Sequence, residues 1–382
     1  MTHPSRWIPL LLLAAACGNA PATSDAFVLR DSAGVRIAEN LWQEDLPLET
    51  WRLADEPEFS VGDPAPGPEY ELYRVYYARS FDDGRVVVAM NTGEVRIYDP
   101  QGSHLVSFGR AGEGPGEFTF LWDAHPVGDT LVRALDPSMR RLTFFDARTG
   151  ALDEVHTTPV GFMNPNGVAR LDDDSYVGLL SVLVDSLTRE RHYRLARFSV
   201  DGQSVDTLDT FRADWWPDPT TRTVFGPGFS STAAGGWMYG GWRGRYEVRR
   251  YGTDGALDLI IRSSFAGEPV TDEMKATVNQ PAFSEGGGTA PPIAFPERLP
   301  PWSKILASPS GWLWVRRYAS PLEEEFNTWD VFDPEGRLTG QIRTPMNARI
   351  AEIGDDWALG LFRNELDVES VRRYRVIREE SG

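Results

Sequence analysis

One phrase recurs along this chain: an apolar or aromatic pair, an acidic residue, a short gap and a glycine. It stands at Ile97-Tyr98-Asp99-Pro100-Gln101-Gly102, at Phe144-Phe145-Asp146 with Gly150, and at Phe198 with Asp201-Gly202. It returns at Tyr251 with Asp254-Gly255 and at Val331-Phe332-Asp333-Pro334-Glu335-Gly336, and a degenerate copy, Tyr374-Arg375-Val376, ends the series. The steps between Tyr98, Phe145, Phe198, Tyr251, Phe332 and Tyr374 are 47, 53, 53, 81 and 42 residues. All but one lie near the length of a four-stranded propeller blade. A second run, rich in β-formers and introduced by a glycine or acid, keeps the same count: Arg85 to Val88, Thr130 to Val132, Ser175 to Val177, Trp237 to Tyr239, Trp312 to Val315 and Trp357 to Leu359. Two periodic signals with one count predict an all-β fold, a six-bladed β-propeller.

If the second run is the second strand of each blade and the aromatic phrase ends the third, the acid-gap-glycine element is the tight hairpin leading to the fourth. Glycine supplies the positive φ of such a turn, and aspartate can accept hydrogen bonds from the backbone that follows it. Phe59-Ser60-Val61-Gly62 parallels Val106-Ser107-Phe108-Gly109, an outer strand running into the next blade, yet no blade precedes it. Trp51 to Val61 is therefore expected to close the ring as the outer strand of the last blade, which removes open sheet edges. This gives a propeller over 51–382, an extra hairpin over 27–50 with its turn at Asp31-Ser32-Ala33-Gly34, and an insertion at about 263–302 that explains the 81-residue step. Within the insertion Thr271 is expected to cap a short helix whose first turn holds Asp272 and Glu273.

Strand parity sorts the loops. In an up-and-down blade the first and third turns share one face, and the remaining loops share the other. The long connections, including Gly109 to Glu117, Val182 to His192, Thr210 to Gly228 and Ala319 to Thr328, all fall on the second face. Long loops on a rigid scaffold are where binding concentrates.

The net charge of −18 opposes nucleic acid and anionic lipid as partners. The start of the chain reads as a targeting segment: Arg6 precedes an apolar run from Ile8 to Ala16 that is too short to span a bilayer. The expectation is a signal peptide over 1–16 and a lipidated Cys17 with a tether over 17–26. Leu13-Ala14-Ala15-Ala16-Cys17-Gly18 resembles the lipobox of bacterial lipoproteins, although the usual leucine position holds Ala14. That resemblance implies a cell-envelope protein whose membrane contact is its lipid anchor. Gly18, where an inner-membrane protein of this kind carries aspartate, implies the outer membrane.

No catalytic set emerges. The glycine-rich run Gly109 to Gly116 lacks the strand-to-helix context of a phosphate cradle, and its glutamates would repel phosphate, so it reads as a crossing between blades. Gly228-Phe229-Ser230-Ser231-Thr232 fails the nucleophile-elbow pattern, and the five histidines show no metal-ligand spacing. Asn164-Pro165-Asn166-Gly167 resembles one asparagine site of calcium-dependent six-bladed lactonases, and a turn before an inner strand accounts for it equally. Trp215, Trp216 and Trp242 lie near the long-loop face, where tryptophans stack on sugars; the remaining tryptophans sit in strand patterns and are expected to wedge between blades.

Arg30-Asp31-Ser32-Ala33-Gly34-Val35, Gly109-Arg110 with Gly112 to Phe118, and Trp312-Leu313-Trp314-Val315 together resemble the bacterial six-bladed propeller lipoproteins of the NHL-like and TolB-like type. The resemblance implies a fold rather than an activity. The leading expectation is an envelope-anchored binding or interaction scaffold that takes an envelope protein, a small molecule or a carbohydrate on its long-loop face, with no cofactor and no nucleic acid. The alternative is a calcium- or metal-dependent hydrolase, lactonase-like, working in the central funnel. Parity places Arg74, Arg110, Asn166, Trp242, Arg245 and Lys304 at the funnel or its rim.

Overall fold

The computed structural model describes residues 26–62, 66–159, 162, 169–170, 175–185, 190–212, 221–278 and 292–379. Cys17, Asn166, Trp215 and Trp216 lie outside these residues. The described chain is all-β, with a propeller-like arrangement of sheets and one short helix, Asp272–Ala276. Thr271 caps that helix as expected, its side chain accepting from the Met274 N–H.

Sheet I is an antiparallel meander of Val75–Ser80, Val86–Met90, Val95–Tyr98 and His104–Phe108. Sheet II repeats the plan with Asp123–Val127, Leu131–Asp136, Arg141–Asp146 and Leu152–Thr157. Sheet III consists of Ala169–Arg170, Tyr176–Asp185, Glu190–Phe198 and Val205–Arg212. Its central hairpin stays paired out to Asp185 and Glu190, so much of the loop expected over Val182 to His192 is strand. Sheet IV consists of Phe229–Ala234, Trp237–Trp242, Glu247–Tyr251 and Leu257–Ser263. The N-terminal hairpin, Phe27–Ser32 with Val35–Asn40, is added to its outer edge through parallel pairing of Arg36 to Asn40 with Leu259 to Ser263.

Two small parallel pairs lie apart, Arg110–Ala111 with Glu117–Phe118 and Arg222–Thr223 with Ile293–Ala294. The other described strands form one nine-stranded sheet, so the separate blades number four where the sequence predicts six. Lys304–Ala307, Leu313–Arg316, Phe326–Phe332 and Leu338–Pro345 make one antiparallel group within it, and Ala348–Ile353, Trp357–Arg363 and Glu369–Glu379 make another. Glu49–Leu53 joins them, parallel to Gly340 to Ile342 on one side and antiparallel to Val376 to Glu379 on the other. Phe59–Val61 pairs beside it with Val371 to Arg373. The stretch expected as one strand from Trp51 to Val61 is thus two strands. The break falls at Asp55-Glu56-Pro57, where proline has no N–H to give a ladder.

The recurrent phrase has the predicted geometry. At Asp99 the carboxylate accepts from Gln101 N at 2.9 Å and Ser103 N at 2.7 Å, while Gly102 takes φ +87°. Asp333 does the same for Glu335 N at 3.1 Å and Arg337 N at 2.8 Å, with Gly336 at φ +84°.

Among the described residues the core divides into six apolar clusters, each shared between successive strand groups. Val87, Ile97 and Phe108 of sheet I meet Phe118, Val132 and Phe145 at sheet II. Leu142 and Phe144 meet Tyr176 and Phe198 of sheet III, and Val177, Leu195 and Phe211 meet Met238 and Tyr251 of sheet IV. Tyr239, Val248 and Ile261 meet Trp302, Leu313 and Phe332, and Trp314, Trp329 and Ile342 meet Ile350, Phe362 and Tyr374. The sixth cluster returns to the start, placing Leu359, Val371, Phe59 and Val61 against Val75, Val86 and Tyr98. Trp314 and Trp329 wedge between strand groups, each 1% exposed. First strands neighbour one another in the order 123–127, 75–80, 348–353, 304–307 and 229–234, and their polar side chains line the space they enclose.

Candidate functional site: a cationic funnel on the long-loop face

Two β-bulges shape the funnel wall. One lies between Val75 and Tyr77, the other between Ile350 and Glu352, each on a first strand. A bulge breaks the alternation of side chains and turns an extra residue toward a new face. Here the extra residues are Tyr76 and Ala351, and both line a cavity of about 390 Å³ together with Tyr77, Phe120, Trp122, Lys304 and Arg349. The aromatic side forms a connected shelf: Tyr76 meets Phe120 edge-on at 5.7 Å between centroids, and Phe120 meets Trp122 at 5.2 Å. Trp122 is 39% exposed at the mouth. A second cavity of about 490 Å³ shares Tyr76 and Arg349 as wall and adds Arg74, Asn91, Asn347 and Glu369.

The opposite wall is positive. Lys304 Nζ donates to Ile350 O at 2.7 Å, and Arg349 donates to Val75 O at 2.6 Å. Next along the rim, Arg316 Nε donates to Ser303 Oγ at 2.8 Å and Arg243 to Ser303 O at 3.1 Å. Each of these four cations is tied to neutral oxygens, and among the described residues none makes an ion pair with a carboxylate. Burial, then the guanidiniums of Arg316, Arg79 and Arg349, hold the Lys304 ammonium well below its usual pKa. Burial likewise lowers Arg349, Arg316 and Arg243. In a chain of net charge −18, four basic side chains with no carboxylate partner among the described residues gather here.

Deeper, on the tight-turn side, lies a cavity of about 180 Å³ with Arg79, His125 and Glu352 in its wall. Asp123 supports it from behind, fully buried and 3.0 Å from Arg133. Burial pushes its carboxyl up to about 6 despite the pull of Arg133 and Arg79. Burial, with the same two arginines, holds the His125 imidazole well below its usual value. Asp123 Oδ1 and His125 Nε2 lie 3.5 Å apart, and neither has a hydrogen-bond partner.

The residues singled out from sequence separate into three places. Lys304 and Arg74 line the two adjoining cavities that share Tyr76 and Arg349. Trp242 and Arg245 line a different cavity of about 240 Å³ with Phe211, Glu247 and Arg249. Its charges pair internally: Glu247 with Arg249 and Arg262, both at 2.9 Å, and Asp209 with Arg249 at 3.1 Å. Arg110 belongs to neither. It is largely exposed in the glycine-rich crossing and ion-paired with Glu117 at 2.6 Å. That crossing needs its glycines: a Cβ at Gly109 would fall 2.6 Å from Gly93 O. Arg349, Arg316, Arg243 and the aromatic shelf were not singled out. The usable signal was position, since each stands at the first turn of an inner strand, at the end of a second strand, or just outside one.

Among the described residues no group of three or more His, Cys, Asp or Glu stands close enough to hold a metal ion. Among them, too, no helix is long and apolar enough to cross a membrane. No family model matches the chain, and no curated protein matches it. Among solved structures it is similar to a protein described as exported from Bacteroides fragilis, with a TM-score of 0.54 and 11% identity over 89% of this chain and 99% of that one. It is similar also to a member of the DUF4221 family from Bacteroides vulgatus, with a TM-score of 0.54 and 9% identity over 87% of this chain and 99% of that one. At these identities the likeness is one of fold.

Proposed function

We propose that this chain is an envelope-anchored, six-bladed propeller that acts as a binding module, with the funnel on its long-loop face as the ligand site. In this reading the nine-stranded sheet counts as two blades stitched by Glu49–Leu53, which the six inter-group cores support. Tethering through Cys17 and an outer-membrane address rest on the sequence, and the exported neighbour is compatible with them.

One observation carries the functional reading: an open aromatic shelf of Tyr76, Phe120 and Trp122 faces hydrogen-bonding cations across about 390 Å³. Stacking surface opposite convergent polar groups suits a small ring-shaped ligand, and no covalent chemistry is assigned to it. The test is a thermal-shift screen of soluble saccharides and aromatic metabolites on the wild type and on Trp122→Ala. A ligand at a hundredfold its Kd stabilises the fold by about 2.7 kcal/mol. Ligands that shift the wild type and leave Trp122→Ala unmoved support the reading; ligands that shift both equally place binding elsewhere.

A further inference from the structure

We infer that the funnel's ligand is an acidic oligosaccharide, its rings laid on the aromatic shelf and its carboxylates taken by Lys304, Arg349 and the cations beyond them. The inference rests on the funnel reading and adds the ligand's charge and length.

Charge follows from what the cations lack. A buried cation without a counter-ion is costly, and a carboxylate arriving among several of them supplies charge-assisted hydrogen bonds that neutral oxygens do not. Each of the four donates to a neutral oxygen: Ile350 O, Val75 O, Ser303 Oγ and Ser303 O. The contrast within the molecule is direct: Arg249, Arg262, Arg133 and Arg317 all have carboxylate partners within 3.1 Å. Glu369 is the acid that faces Arg349, and it is already engaged by Arg363 at 2.8 Å and by Val75 N at 2.7 Å.

Length follows from how the cations are strung. Arg243 and Arg316 both donate to Ser303, the chain neighbour of Lys304, while Lys304 donates to Ile350 O, the chain neighbour of Arg349, so the basic groups form a row along the rim rather than meeting at one point. A single carboxylate would engage one end of this row. A chain bearing one carboxylate per ring matches it, and its sparse charge tolerates a protein of net charge −18 better than a dense polyphosphate would.

The experiment is calorimetric titration of the full chain with a tetragalacturonate, with its carboxyl-reduced neutral counterpart, and with benzoate. The variants are Lys304→Met, Arg349→Met and, as control, Lys275→Met, whose side chain sits exposed beside Asp272. The expected result is at least tenfold tighter binding of the acid than of the neutral chain. Lys304→Met and Arg349→Met should each lose that preference, while Lys275→Met keeps it. Circular dichroism and thermal melts of each variant separate lost binding from lost folding. Equal affinity for the acid and neutral chains overturns the inference while leaving the funnel as the site. Binding of benzoate but neither oligosaccharide overturns the carbohydrate. Equal losses in all three lysine and arginine variants show that these cations do not form the site.

Discussion

Phe59 carries the join between the two ends of the chain, and its truncation to alanine should be among the most costly single changes in the protein. The ring is 2% exposed in the cluster that places Leu359 and Val371 against Val75, Val86 and Tyr98. Removing a buried phenylalanine side chain forfeits its transfer free energy and leaves a cavity, together about 3–5 kcal/mol. Three residues of pairing, Phe59–Val61 against Val371 to Arg373, hold the strand in place, so little backbone is available to collapse into the space. With a urea slope of about 3 kcal/mol per molar, the unfolding midpoint should fall by about 1–1.7 M. Leu105→Ala is the matched control: Leu105 is also in a strand beside a blade edge but is 51% exposed, and its loss should move stability by less than about 0.5 kcal/mol. Equal midpoints for Phe59→Ala and Leu105→Ala, with unchanged slopes, would refute the closure.

The other predictions concern single groups. Asp123 has its carboxyl raised to about 6 by burial, so the folded state holds a proton that the unfolded state releases near its ordinary value of 3.8. Its contribution is fully present at low pH and is lost as pH rises through about 6. The stability of the wild type relative to Asp123→Asn should therefore fall by roughly 3 kcal/mol between about pH 4 and pH 7, and a pH-independent difference in urea midpoints would contradict the burial argument. Gly109→Ala forces a Cβ to 2.6 Å from Gly93 O at φ +76°; it should cost about 1–3 kcal/mol by the same assay. Asp333→Ala leaves the N–H groups of Glu335 and Arg337 without their acceptor and should cost about 1 kcal/mol in thermal melts, with no change in ligand binding.

The parts of the fold written locally were legible. Asp99, Asp333 and their glycines announce a hairpin wherever they recur, because the carboxylate and the positive φ act within four residues. The strands on either side follow from that spacing. What escaped was pairing across the whole chain: Glu49–Leu53 lies parallel to Gly340 to Ile342, and neither segment carries a local mark of the other. That stitch is why two strand groups share one sheet. Long-range pairing likewise hid the docking of Val35–Asn40 on Leu257–Ser263.

At the funnel, parity points to strand ends but not to the charges that converge there. Parity singles out Lys304 at the start of its strand, whereas Arg349, Arg316 and Arg243 are three among many arginines. Their distinction is the missing carboxylate, a property of folded neighbours. Tyr76 was hidden for another reason: strict alternation along Val75–Ser80 turns it away from its neighbours' faces, and only the bulge at Val75 and Tyr77 gives it to the cavity.

The central claim is that unpaired positive charge in the funnel collects an anion. Bromide-soaked crystals measured at the bromine absorption edge test it without any assumption about the natural ligand. The strongest anomalous peak should lie in the funnel beside Lys304 and Arg349, and it should vanish in the Lys304→Met, Arg349→Met double variant. Bromide distributed over the surface arginines, with that space unoccupied, would contradict the account.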